Sequence, residues 1–462
     1  MSLFYPHYNT KEPFAFVQDD WRATSNLTLN LGLRYDVFTP YTEQDNHLVN
    51  VDIARSAILV AGQNSVSRTA GIQTDYSNLA PRLGFSATLP ALTVVRGGYG
   101  LSFYPGNYMS QSFLKSAPFT STYGPVISNA ASGGVPNLFL RNGLPLPAAT
   151  DITVPSGTFQ AEELNFRNTR THQYNLFVEK EMSGNVVGAG YLGWKADHLT
   201  QYIGNVDLAP AGPGAIQPRR AFAATLPNVS AIPLVASDFE GTYNAMQVTF
   251  QRRQQSGLTL SSSYTLAHAV QTNASPWDVT VIERYDSDFD VRHRFVLSAN
   301  YELPFLRTAS GPVHAVFAGW QVNGVAVLQS GIPFTVANGT ARSNTGGTDR
   351  PNQLGNPQLD NPTVAQWFDV TAFAAEPINT AGNTGRNTLH GPPMRRLDLS
   401  LFKNVDLTAS TRLQLRAEVF NVTNTPSFSN PNANFGTAGF GSITSTGNNI
   451  PRQMQFAVKV LF

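Results

Sequence analysis

A strict two-residue alternation of apolar and polar side chains, sustained over long stretches, constrains the fold of this chain more than any other feature. The clearest case is LTLNLGLRYDV, whose apolar positions are Leu27, Leu29, Leu31, Leu33, Tyr35 and Val37. Successive side chains of an extended strand point to opposite faces, whereas a helix repeats every 3.6 residues. The pattern therefore predicts long β-strands with one apolar face, and it leaves little room for helix.

The same alternation recurs along the whole chain and predicts thirteen strands. The predicted strands cover residues 13–24, 27–39, 80–89, 92–104, 171–182, 185–199, 243–254, 258–270, 292–305, 319–336, 395–407, 411–424 and 451–462. Their connections alternate between short turns, of which 306–318 is the longest, and long loops rich in Gly, Asn, Pro, Ser and Thr. The long loops cover 40–79, 105–170, 200–242, 271–291, 337–394 and 425–450. Short turns at one end and long loops at the other are typical of an outer-membrane β-barrel.

A soluble β-sandwich also alternates, but two features favour a membrane barrel. Its strands usually have five or six residues, whereas about 9–11 tilted residues cross a bilayer. Charged residues are 13% of the chain, about half the soluble average of ~25%. The polar face carries residues that we predict to line a wet lumen: Arg34, Arg82, Arg96, Asn300, Glu302, Arg416 and Glu418.

The opposite, apolar face is predicted to meet lipid. Its clearest members are Leu27, Leu29, Leu31, Leu33, Leu83, Phe85, Phe295, Leu297, Leu413 and Leu415. The last strand continues this face with Phe456, Val458, Val460 and Phe462. Such a terminal row looks like the signal by which the barrel assembly machinery recognises an outer-membrane barrel, so we predict that machinery and outer-membrane lipid as partners.

Composition argues against several other classes of function. The net charge of +1 gives no reason to expect a nucleic-acid partner. The chain has no cysteine, which removes disulfides and thiolate metal sites. No Ser–His–Asp arrangement has a supporting context, so the sequence predicts neither an enzyme nor a cofactor.

Three polar stretches could still form a site. DSDFDVRHR contains Asp286, Asp288 and Asp290, which could bind calcium, although oppositely charged neighbours more simply predict a salt-bridged strand entrance. RPN (350–352) and GRN (385–387) lie in one long loop. Each could order that loop or contact a ligand, and we favour loop order.

Several longer stretches resemble one known family. FAFVQDDWRATSNLTLNLGLRYDVF resembles the barrel of TonB-dependent receptors, and GNVVGAGYLGWKADHL, SDFDVRHRFVLSANYELPF and LQLRAEVFNVTNTPSFSNP resemble its Oar-like subgroup. The resemblance implies a 22-stranded barrel, an N-terminal plug, a motif that contacts TonB and a leading carboxypeptidase-regulatory-like domain. None of the last three is recognisable in residues 1–462, so we expect the C-terminal portion of such a barrel.

Strand parity supports that expectation, since thirteen is odd and bacterial single-chain barrels have even strand numbers. The function implied is a TonB-dependent outer-membrane receptor or transporter for an unidentified solute, with long loops extracellular and short turns periplasmic. TonB would be reached only through N-terminal segments. The alternative is a non-transporting surface protein, for adhesion or secretion, that binds through its loops.

Overall fold

The chain folds around one large antiparallel sheet. A computed structural model describes residues 6–106, 109–120, 154–305, 311–408, 410–447 and 451–462. Thirteen long strands of a 15-stranded sheet are neighbours in chain order. They are β1 (Phe14–Thr24), β2 (Leu27–Asp36), β3 (Leu79–Leu89), β4 (Thr93–Tyr104), β5 (Thr169–Met182), β6 (Asn185–Ile203), β7 (Leu234–Gln255), β8 (Leu258–Ala274), β9 (His293–Glu302), β10 (Trp320–Gln329), β11 (Met394–Asp406), β12 (Arg412–Phe420) and β13 (Gln453–Leu461).

The remaining elements are short and lie mostly in the long loops. The short strands are Tyr8–Asn9, Thr42–Glu43, Val49–Asp52, Ala57–Val60, Ser156–Thr158, Ala161–Glu162, Asn228–Ala231, Ile282–Asp286, Pro333–Phe334, Ala337–Asn338, Asn352–Gln353, Phe373–Ala374, Leu389–His390 and Asn434–Phe435. The helices are α1 (Gly311–Phe317) and the 3₁₀ turns Ser110–Phe113, Gln217–Arg219 and Val370–Ala372. Within the described parts of the chain, no helix is both long enough and apolar enough to span a membrane.

The ends of the strands match the sequence prediction best at the short turns. The two largest differences occur at the opposite end of the sheet. β7 begins at Leu234, nine residues before the predicted start, because its first part pairs with the extended end of β6 and with Ala161–Glu162. β10 ends at Gln329, and just beyond it the backbones of Gly331 and Gly391 come so close that a Cβ on residue 331 would clash with the Gly391 carbonyl oxygen.

The register places the predicted apolar row on one face throughout the sheet. Leu31 opposes Leu83, which in turn opposes Tyr99. None of the ten residues predicted to face lipid is buried, and Leu83 is 53% exposed. Among the described residues no second sheet packs on this face. Apolar side chains that neither a second sheet nor any other part of the protein covers need a nonaqueous environment.

The two edges of the sheet are β1 and β13, which do not pair with each other in the described structure. Both strands run from the long-loop end toward the short-turn end, because β1 leads into the turn before β2 and β13 pairs antiparallel with β12. Among the described residues the sheet is therefore open between these two strands.

Buried apolar clusters lie in the long loops. One contains Phe159, Val229, Ile232 and Phe239, and another surrounds Phe368. The middle of the predicted 105–170 loop lies outside the described residues. The packed clusters hold the described loops together as an ordered layer above the sheet.

Candidate functional site

Asp286 is the centre of a charged network where the loops meet the sheet. Its Oδ1 lies 2.7 Å from His268 Nε2, and its Oδ2 accepts a hydrogen bond from Arg292 at 3.1 Å. Arg292 also reaches Asp290 Oδ2 at 3.2 Å, and the other oxygen of Asp290 accepts the Ala269 N–H. Asp288 accepts a 2.6 Å hydrogen bond from Asn387. The three aspartates therefore connect β8, β9 and a distant loop.

This geometry bears on the calcium prediction for Asp286, Asp288 and Asp290. Oxygen atoms of Asp286 and Asp290 do approach a ring nitrogen of His390, as metal ligands would. However, a guanidinium nitrogen of Arg292 contacts both of those carboxylates and supplies the positive charge that a metal would bring. Asp288 points to Asn387 instead. The contacts favour the salt-bridged strand entrance that the sequence predicted first.

The RPN and GRN stretches contact the same segment of the chain, residues 283–288. Arg350 makes a two-pronged ion pair with Glu283, with nitrogen–oxygen distances of 3.0 and 2.7 Å, and its guanidinium lies 5.3 Å from the Trp277 ring centre. The Arg386 guanidinium lies 4.3 Å from the Tyr285 ring centre, and Asn387 donates to the Asp286 carbonyl. These contacts are internal, so they favour the loop-ordering role.

We expect Arg350→Ala to loosen the loop that holds it. The Arg350 side chain is 8% exposed and that of Glu283 is 20% exposed, and removing one partner of a buried pair costs about 3 kcal/mol or more. Hydrogen exchange should therefore speed up in residues 337–394. Arg412→Ala is the matched control, because Arg412 and its partner Asp406 are 52 and 63% exposed and loss of such a surface pair should cost less than about 1 kcal/mol. Equal effects of the two variants would contradict this role.

A cavity of about 600 Å³ lies among the loops. Four separate parts of the chain line it: residues 51–55, Gln73, residues 162–165, and the beginning of β7. Its wall combines the apolar Ile53, Leu164 and Leu234 with the carboxylates of Asp52 and Asp238. The size and mixed wall of this loop cavity suit a small solute.

Burial changes the acidity of two carboxyl groups at the loop cavity. It raises the pKa of Glu162 to about 8, although a hydrogen bond from Ser112 works against that rise. Burial also raises the pKa of Glu163, against two hydrogen bonds from Ser237. Glu162 is therefore largely uncharged at neutral pH, while its backbone is held by Asn50, whose amide donates to the Glu162 carbonyl at 2.9 Å.

The raised pKa makes loop stability dependent on pH. Because the native Glu162 keeps its proton up to about pH 8 while an unfolded glutamate loses it near 4.5, the native state binds more protons between these values. The contribution of Glu162 to loop stability is greatest below about pH 4.5 and decreases as the pH rises to about 8. We expect proteolysis of the loops to accelerate as the pH is raised over this range. Glu162→Gln should flatten the dependence, and an unchanged pH profile in that variant would contradict the assignment.

Another buried acidic group, Glu43, accepts backbone hydrogen bonds at both carboxylate oxygens. One carboxylate oxygen accepts the His7 N–H and the other accepts the N–H groups of Asp45 and His47. Burial opposes its charged form, but these backbone donors lower its pKa overall. Glu43 therefore closes the turn at residues 43–47.

The other residues predicted for the site are distributed over the sheet. All seven residues predicted to line the lumen lie on the face opposite the leucine row, and Arg96 forms a 2.7 Å ion pair with Glu179 across strands. That this face lines a lumen stays a prediction. Phe456, Val458 and Phe462 are 78, 70 and 100% exposed on the other face, and their role as an insertion signal also stays a prediction.

Sequence reasoning did not find the loop cavity or the partner of Arg350. Glu283 lies 67 positions before Arg350, and no local period connects them. The aromatic-rich stretch WFDVTAF at 367–373 was a usable signal, because so many large apolar residues within a polar loop indicate local burial. It forms the cluster around Phe368.

The sequence matches one family of known proteins. Residues 2–455 match the family described as "Outer membrane beta barrel domain". No curated protein sequence matches the chain.

Three solved structures with a similar fold are distant in sequence. The outer membrane transporter YddB from Escherichia coli has a TM-score of 0.50 and 10% identity, covering 98% of this chain and 45% of that protein. The ferripyoverdine receptor of Pseudomonas aeruginosa has a TM-score of 0.49 and 11% identity, with 99 and 39% covered. The ferric enterobactin receptor of P. aeruginosa, in a mutant form, has a TM-score of 0.49 and 13% identity, with 98 and 45% covered. The chain spans less than half of each of these proteins.

Proposed function

Because this chain belongs to the outer membrane beta barrel domain family, we propose that it forms part of the wall of a TonB-dependent receptor that takes up a solute. Membership confirms the predicted barrel fold and the location in the outer membrane. The role in uptake, the dependence on TonB and the Oar-like subgroup are parts of the proposal. The sequence stretches that resemble Oar-like receptors support the last of these.

The observation that carries the proposal is the loop cavity within an ordered layer. A receptor that captures a scarce solute needs a preformed pocket, because ordering loops at the moment of binding reduces affinity. Buried clusters and the Arg350–Glu283 ion pair already hold these loops in place. Asp52 is paired with Arg55, which also lines the cavity, so the exposed carboxylate of Asp238 is the group that favours a solute with a positive or hydrogen-bond-donating group.

Binding can be tested with one cavity-filling variant. Outer-membrane fragments from cells that express the gene would be incubated with extracts of the growth medium, and the retained small molecules identified by mass spectrometry. Ala54 lines the cavity from an exposed position, so Ala54→Trp should fill it without disturbing the buried clusters. Ala54→Ser is the control. A solute retained equally by both variants would place binding elsewhere.

Uptake separates the proposal from its alternative. For a solute identified in this way, a TonB-dependent receptor should keep binding but lose uptake when TonB is removed or the inner membrane is de-energised. Uptake that continues unchanged would contradict TonB dependence. Binding without uptake under any condition would favour the alternative of a surface protein that uses its loops for adhesion or secretion.

A further inference from the structure

One periplasmic connection differs from the other five. The short-turn connections between strands have two to five residues, except for residues 303–319 between β9 and β10. That connection contains α1, with the sequence GPVHAVF. A simple turn would be enough to join two neighbouring strands, so the additional helix at this rim indicates a further role.

Contacts at the end of α1 hold it on the outer side of the sheet. The Trp320 indole N–H donates to the Val316 carbonyl at 3.0 Å, and the Lys403 ammonium donates to the Ala318 carbonyl. Trp320 and Lys403 oppose each other in the register and lie on the same face as Val322 and Leu328. This is the lipid-facing side, so these contacts place the C-terminal end of α1 at the lipid-facing side of the strand ends.

The turn after α1 fits only glycine. Gly319 has a φ of +73°, and an added Cβ would lie 2.4 Å from the Asn404 carbonyl oxygen. Its own carbonyl accepts the Asn404 N–H at 2.9 Å. These contacts attach the end of the helix to β11 and fix the position of α1 along the direction of the strands.

The exposed side of α1 is apolar. Val313, Val316 and Phe317 follow the spacing i, i+3, i+4 and therefore share one face of the helix. They are 50, 56 and 57% exposed, and the helix contains no Asp, Glu, Lys or Arg. His314 instead lines a polar pocket with Glu302 and Asp406 at the rim.

We propose that α1 is an interfacial anchor whose apolar stripe lies in the periplasmic leaflet of the outer membrane. The stripe continues the lipid-facing row of the sheet, and Trp320 at its base is the residue type that prefers the boundary between hydrocarbon and water. Amphipathic helices of this kind bury their apolar face at the headgroup boundary of a bilayer. The anchor depends on the outer-membrane location and not on the proposed solute.

Because residues 1–462 contain no cysteine, a single introduced cysteine reports on α1 once the labelling of the unaltered protein is subtracted. Val316→Cys and His314→Cys would be compared in outer-membrane fragments of cells that express the gene, using a polymer-linked maleimide that shifts gel mobility. Residue 316 should react at least about tenfold more slowly than residue 314, because the lipid boundary excludes the reagent. In denaturant both should react at the same rate, which shows that each cysteine is intact. Equal rates in membranes would overturn the proposal.

A photoreactive benzophenone attached to the thiol of the Val316→Cys variant then identifies what covers the stripe. A mass increase corresponding to one phospholipid supports the anchor. Crosslinking to a second protein would overturn it and identify α1 as a docking helix for a periplasmic partner. The same label on the His314→Cys variant is the control, and it should crosslink to phospholipid or to a second protein in much lower yield.

Discussion

The chain alone should fail to form a closed barrel, whereas the same chain with one additional ascending strand should close. The edges β1 and β13 both descend toward the short-turn side, so direct pairing between them would be parallel. Bacterial single-chain barrels pair antiparallel throughout. In lipid each unpaired backbone group costs several kcal/mol, and roughly half of those in each edge strand lack a partner in the described sheet.

Strand parity makes this prediction specific. A copy of the ascending strand β12 joined ahead of β1 by a long loop would offer an antiparallel partner to both edges, whereas an added pair of strands would leave the edges mismatched again. We expect heat-modifiable gel mobility and trypsin resistance only for the chain with one added strand. A second copy of the chain cannot supply the partner, because its own edges descend too. A protease-resistant monomer of the unaltered chain would contradict the prediction and imply parallel closure.

The thirteen strands were predictable because the signal for each is local. Alternation such as that of residues 27–37 requires only that one face meet an apolar medium and the other a polar one. The short turns also carry local signals, since Ser183 and Ser256 adopt positive φ next to glycines that do the same. The ends of strands at this side of the sheet therefore agree closely with the sequence prediction.

The loop side was less predictable because contacts distant in sequence decide it. The additional nine residues at the beginning of β7 are strand because they pair with Ala161–Glu162 and with the end of β6. No alternation marks LVASDFEGT at 234–242 as a strand. The cavity and the buried Glu162 arise from the same packing, which no single stretch of sequence encodes.

Candidate residues were predictable in type but not in partner. The charges of DSDFDVRHR indicated a salt-bridged entrance, and Arg292 does join Asp286 to Asp290. The contributions of His268 and Asn387, which come from other parts of the chain, appear only in the structure. Local sequence reveals that a stretch carries compensating charges, whereas the fold decides which charges meet.

The face assignment can be tested at one depth with neighbouring residues of β9. Leu297 belongs to the row predicted to face lipid, and Ser298, next to it, lies on the opposite face between Ser261 and Val325. Leu297→Arg should cost about 2–4 kcal/mol if the site lies near the bilayer midplane, because a charged group would enter hydrocarbon. Ser298→Arg places the same group on the polar face and should cost much less.

Ser298 is a better control than a polar residue chosen from alternation alone. Gln414 also lies on the polar face, but it is only 8% exposed, donates to Asn404 at 2.8 Å and accepts from Arg416 at 2.6 Å. Replacing it by Arg would break those bonds and cost stability for a reason unrelated to lipid. Ser298 is exposed on its face. The readouts are a urea titration of the barrel closed by the added strand and the yield of heat-modifiable protein in outer-membrane fractions. Equal losses for Leu297→Arg and Ser298→Arg would show that the leucine row does not meet lipid.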